Sequence, residues 1–212
     1  MSFENRVETR LSATKDTVRM KSGRKLEGIA APYGVRAKIG GPSGFEEQIA
    51  RGAFRAILTG KPDVCFLRDH NPSLIMGRTS AGTLRLTETP QGLAFECDLP
   101  DTQAAEDLLA SVERGDVAGC SFSFWSNPED ETWEMDGKTP VRTLRGFSKL
   151  KDVSAVTYPA YAQTELAARV EVIPAEVRSA AMQCVHADVN QFVEALFGEQ
   201  TQRRRRLIDQ VL

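Results

Sequence analysis

The stretch that most narrows the folds open to this chain is Gly119-Cys120-Ser121-Phe122-Ser123-Phe124. In an extended segment successive side chains point to opposite faces, so Phe122 and Phe124 share one face and Ser121 and Ser123 the other. The alternation predicts a strand whose aromatic face is anchored in a core and whose other face carries two small hydroxyls. Such a strand is a rigid mount for a nucleophile. The same pattern also describes an ordinary edge strand with polar residues facing water.

The rest of the chain limits what such a strand can serve. Its 212 residues suit one domain with an appendage. Hydrophobic residues make up 41%, enough for a sizeable core. Lys and Arg number 27 against 29 for Asp and Glu, a net charge of -2, so no global attraction to nucleic acid or membrane is expected. No apolar run approaches a membrane span, and Met1–Arg10 carries no apolar signal-peptide core. The cysteines Cys65, Cys97, Cys120 and Cys184 are scattered through apolar contexts and read as buried free thiols in a reducing cytosol. No close Cys or His pairs occur, so neither a metal nor a cofactor is expected.

Along the chain, the pattern is that of a β-rich α+β fold. Residues 1–24 read as an N-terminal arm, poorly ordered or forming one early strand. Strands are predicted at Lys25–Ala30, Phe45–Ile49, Asp63–Leu67, Thr83–Thr87, Leu93–Leu99, Val141–Arg145 and Leu150–Thr157. A short helix is expected over Gly52–Leu58. A longer one follows Asp101 as N-cap, burying Ala104, Ala105, Leu108, Leu109 and Val112 and ending at Gly115. The main domain runs over 25–168. Beyond Pro174 helix formers dominate, and 169–212 reads as a helical C-terminal tail containing the basic run Arg203–Arg206.

A serine hydroxyl is a poor nucleophile near neutral pH and needs a base to take its proton. His70 lies between a buried strand and Asn71-Pro72, at a strand end, and is the only imidazole in the β-rich region. A third group should accept from the imidazole and fix its tautomer. Asp152 opens a strongly β-forming segment and is attractive for this role. Asp69 is its rival, although adjacent side chains at a strand end usually diverge, and His186 lies in the tail. Ser123 shares a face with Ser121 and stays a second hydroxyl to consider. Oxyanion donors are left open among Arg142, Arg145 and the loop at Pro159–Tyr161. No Gly-x-Ser-x-Gly elbow is present.

At these residues the chain resembles a known family. The ordered pieces are Gly28-Ile29-Ala30 with Tyr33, Glu47 to Gly52-Ala53-Phe54, Asp69-His70-Asn71 with Gly77-Arg78, and Gly92-Leu93. Gly119–Phe124 and Leu150–Ala160 complete the set. Together they resemble the prohead serine proteases of tailed bacteriophages, over about Lys25 to Ala168.

The resemblance implies a herpesvirus-protease-like β-barrel wrapped by helices, with 25–168 as the protease domain. It further implies Ser121 as nucleophile, His70 as base and Asp152 at the acidic position. Two departures stand out. Ser123 occupies a place where Gly is common, and Asp152 one where Glu is frequent. Related herpesvirus enzymes use a second histidine, a role not transferred to His186. Implied partners are the phage major capsid protein, its scaffold segment and further copies of this chain, inside the assembling prohead in the host cytoplasm. The tail would then be a packaging or propeptide segment. The competing expectation is a non-catalytic head-assembly protein that binds capsid subunits.

Overall fold

The aromatic face of 119–125 anchors the strand as its alternation predicts. In the computed structural model, which describes residues 7–12, 17–40, 44–157, 173–181 and 183, Phe122 and Phe124 lie in the main hydrophobic core. Phe54 stacks on Phe147 with ring centroids 4.5 Å apart, and Phe124 meets Phe147 edge-on at 4.9 Å. Fully burying one such ring contributes about 1.5–3 kcal/mol, so this cluster fixes the backbone on which Ser121 rides.

The first half of the chain forms β1 (Glu8–Leu11), β2 (Val18–Met20), β3 (Lys25–Pro32), β4 (Ala37–Ile39) and β5 (Phe45–Ile49). Helix α1 (Arg55–Thr59) precedes β6 (Cys65–Arg68), β7 (Asn71–Arg78), β8 (Leu84–Thr89) and β9 (Gly92–Asp98). Helix α2 (Gln103–Glu113) leads to β10 (Gly119–Trp125), a 3-10 turn at Pro128–Asp130, β11 (Glu131–Asp136), β12 (Thr139–Leu144) and β13 (Lys149–Val156).

These strands make three sheets, ordered β1-β10-β13-β6-β7, β11-β12-β5-β4 and β2-β3-β9-β8. Most neighbours are antiparallel, whereas β13–β6 and β12–β5 are parallel. Among the described residues none of the sheets closes on itself, so the fold is β-rich with three open sheets. At one edge, β7 carries Pro72, which has no N–H to offer a further strand. Helices among the described residues are few, α1, α2 and a stretch at 175–181, and do not amount to a wrapping layer.

Helix α2 buries Ala105, Leu108, Leu109 and Val112. Its cap is Thr102 rather than Asp101: the Ala105 N–H donates to Thr102 Oγ1 at 3.4 Å. Ala104 is only partly buried. Residues 1–24 contribute β1 and β2, each paired into a different sheet. Ile173 and Val177 pack with Phe45 and Trp133 in a satellite cluster. Most of the expected helical tail over 169–212, with Arg203–Arg206, Cys184 and His186, lies outside the described residues.

Candidate active site

Strands β10 and β13 lie side by side and antiparallel, pairing Ser121 with Ser154 and Ser123 with Asp152. Opposite residues share a face, and the two-residue period puts both pairs on the same one. The result is a patch of three hydroxyls and one carboxyl on a sheet otherwise built from Cys120, Phe122, Val153 and Ala155. The patch is not open to water, contrary to the exposed-hydroxyl reading of β10 alone: Ser121 is 1% exposed, Ser123 2%, Asp152 1% and Ser154 0%.

The imidazole reaches this patch from the β6–β7 hairpin. Because β6 runs parallel to β13 as its other neighbour, with Arg68 beside Ala155, the hairpin turn overhangs the end of the patch. Arg68 pairs with Asn71, leaving Asp69 and His70 as a two-residue turn, and their φ values of 51° and 57° are both positive. Positive φ at both centre positions is the requirement of a type I′ turn, whose twist matches that of the strands. Such backbone is uncommon outside glycine but enriched for Asp and His. Asp69 secures it, accepting the Thr157 N–H at 2.8 Å while its own N–H donates to the Ala155 carbonyl at 2.9 Å. The rival for the acidic role is thus turned away from the ring.

His70 Nε2 stands 2.7 Å from Ser121 Oγ, and Nδ1 stands 2.5 Å from Asp152 Oδ1. Two other hydroxyls flank Nδ1, Ser154 at 3.2 Å and Ser123 at 3.3 Å. Although Ser121 and Ser123 share a face, they meet opposite edges of the ring. Ser123 also contacts Thr9 Oγ1 at 3.1 Å.

Burial disfavours the charged form of Asp152, yet its bonds to His70 and Ser154 outweigh this and hold the carboxyl below the ordinary aspartate range. An ionised carboxylate at 2.5 Å from Nδ1 requires the proton on Nδ1. Nε2 then carries the lone pair, facing the Ser121 hydroxyl. That hydroxyl also lies 2.9 Å from the Arg10 carbonyl oxygen, to which the same O–H donates when turned that way. One proton cannot serve both acceptors, so Arg10 of β1 competes with His70 for it.

Beside the patch lies a buried ionic network. Arg10 Nε donates to Glu47 at 2.5 Å. Arg142 donates to Glu47 at 3.0 Å, to Glu8 at 2.7 and 2.9 Å, to Glu131 at 2.6 Å and to Ser126 at 2.9 Å. Burial opposes ionisation of Glu8, but Arg10 and Arg142 hold its carboxyl down at about 2. Committed to these partners, Arg142 is not available as an oxyanion donor. Arg145 is exposed, its backbone N–H bonded to the Asp130 carbonyl, and Pro159–Tyr161 lies outside the described residues.

Two features of the site were overlooked in the sequence. Ser154 sits two residues after Asp152, and the β period alone puts it on the same face. Glu47 occupies a core-facing position between Phe45 and Ile49, a carboxylate that must be paired if buried. Its partners come from other strands and carry no local signal.

Against known proteins, no curated sequence matches the chain. Among solved structures it is similar to one described as the bacteriophage T4 capsid assembly protease, gp21, with 14% identity and a TM-score of 0.43. That likeness covers 72% of this chain and 99% of the other. The model of the caudovirus prohead serine proteases matches residues 11–177, a span that contains His70, Ser121 and Asp152. The chain belongs to the prohead serine protease family of tailed phages.

Proposed function

We propose that this chain is a serine endopeptidase of phage head maturation in which Ser121 is the nucleophile, His70 the base and Asp152 the residue that orients His70. The observation that carries the reading is the continuous line from Ser121 Oγ to His70 Nε2 at 2.7 Å and from Nδ1 to Asp152 Oδ1 at 2.5 Å. Ser121 gives its proton to Nε2 as Oγ attacks a peptide carbonyl carbon. The imidazolium so formed is balanced by the Asp152 carboxylate, and Nε2–H then protonates the leaving amine. Water repeats the cycle on the acyl-enzyme. Ser123, on the Nδ1 edge, has no basic lone pair to receive its proton and is not the nucleophile.

Substrates in this reading are the major capsid protein and its scaffold segment, and the chain itself, within the assembling prohead in the host cytoplasm. Family membership supports that class of substrate. Residues 25–168 form the body of the protease domain, the 1–24 arm adds β1 and β2 to its sheets, and 169–212 is a packaging or propeptide tail. Kinship with the herpesvirus capsid proteases belongs to the same proposal. The 1% exposure of Ser121 favours a second reading, a head-assembly protein that keeps the fold without cutting.

Co-expression with the capsid precursor, followed by mass spectrometry of propeptide removal, separates the two. Cleavage by the wild type and by Ser123→Ala, with none by Ser121→Ala or His70→Ala, is the expected result. A Ser121→Ala chain that cleaves as well as the wild type would refute the assignment, and no cleavage by any of the four favours the assembly protein.

A further inference from the structure

We propose that Ser154 is a positioning residue of the site, a fourth member that locks both the carboxylate and the tautomer of the imidazole. The inference rests on the catalytic reading above for its effect on rate, but not for its effect on His70 itself.

Ser154 Oγ lies 2.9 Å from Asp152 Oδ1 and 3.2 Å from His70 Nδ1. The carboxylate can only accept, so the hydroxyl proton goes to Oδ1 and an oxygen lone pair is left facing Nδ1–H. Both donors therefore converge on one oxygen of Asp152, while Oδ2 is buried with no hydrogen-bond partner among the described residues. The three groups form a closed triangle. Moving the imidazole proton to Nε2 would break two of its sides, since a bare Nδ1 would face a carboxylate and compete with it for the Ser154 proton. Ser154 thereby ties the correct tautomer, with its basic lone pair toward Ser121, to the ionised state of Asp152.

The position itself supports this. Ser154 is 0% exposed between Val153 and Ala155 on a central strand, where a buried hydroxyl is unfavourable unless bonded. It also stands directly opposite Ser121 in the ladder, so its hydroxyl is fixed by the register that places the nucleophile. Ser123 differs. Its 3.3 Å contact to Nδ1 is longer, and its other described hydroxyl neighbour is Thr9 rather than Asp152.

The test uses full-length Ser154→Ala and Ser154→Thr, each first shown to melt like the wild type, with two readouts. On a peptide spanning a capsid-precursor cleavage junction, Ser154→Ala is expected to lose about tenfold in kcat with little change in KM. The low-pH limb of its rate profile should move to higher pH, because the dyad loses a donor to its carboxylate. Ser154→Thr, which keeps the hydroxyl, should restore most of both. Independently of activity, 15N spectra of the imidazoles should show His70 as the Nδ1–H tautomer in the wild type and as a tautomer mixture in Ser154→Ala.

Wild-type kcat, pH limb and tautomer in Ser154→Ala would overturn the proposal. So would a Ser154→Thr chain no better than the alanine variant. A tautomer change in a chain whose wild type cleaves nothing would uphold the positioning role and sink the protease reading instead.

Discussion

Asp69 and His70 hold φ values of 51° and 57°, a conformation that L-residues adopt at a cost of about 1–3 kcal/mol each unless surroundings compensate. Here the compensation is the Thr157 N–H on Asp69 Oδ1. Asp69→Ala removes that acceptor and leaves the turn tethered only by its backbone N–H to the Ala155 carbonyl. We expect it to lower stability by about 1–2 kcal/mol, read by urea unfolding, and to reduce cleavage by letting the ring drift from Ser121. Asp69→Asn keeps a carbonyl acceptor and tolerates positive φ, so it should retain most of both. Asp152→Asn tests the other edge of the ring. It should cost about 10²–10⁴ in kcat with KM little altered, since an amide presenting N–H toward Nδ1 favours the wrong tautomer. Equal kcat for the Asn variant and the wild type would remove Asp152 from the mechanism.

At the level of elements, most strands were legible, though β4, β7 and β11 were not, and no strand by itself revealed its partner. Period-two alternation marks Phe45–Ile49, Leu84–Thr89 and Gly119–Phe124 whatever lies beside them, and the turn at Asp136-Gly137 announces its hairpin, with Gly137 at φ 60°. The parallel β13–β6 pair joins segments distant in sequence, and nothing local in either reveals the other. The same holds for the ionic network, whose members come from β1, β5, β11 and β12 and so tie two sheets together. Ser121, His70 and Asp152 were legible because family motifs carried them, whereas Ser154 needed only the period of its strand.

The network is also the element whose failure is easiest to measure. Arg142→Met leaves Glu8, Glu47 and Glu131 with Arg10 as the single remaining arginine of the cluster. Breaking a buried pair from one side costs about 3–5 kcal/mol, and a denaturant midpoint unchanged by this substitution would show the charges to be less buried than their geometry. Glu8→Gln acts more locally. Hydrogen exchange at the amides of β1 should quicken before that of β10 or β13.

For the whole molecule, the depressed carboxyls set the acid limit. Glu8 is held at about 2 against an ordinary 4.5, and Asp152 is also lowered. A carboxyl lowered by folding stabilises the native state above its unfolded value. That contribution is lost as pH falls from about 4.5 toward 2, through the folded value. Circular dichroism against pH should therefore show a plateau at neutral pH and a decline through this window. Glu8→Gln should be less stable at neutral pH but lose less stability within the window, and equal acid slopes for the two chains would contradict the linkage.

The place of β13 in its sheet has a consequence for synthesis. It lies between β10 and β6 and is the last of the described strands to be made. A nascent chain carries His70 and Ser121 long before it owns the strand that aligns them, and until residues 149–156 leave the ribosome the two have no shared neighbour. Any translation product that ends before residue 149 therefore lacks both Asp152 and the strand that lies between β10 and β6.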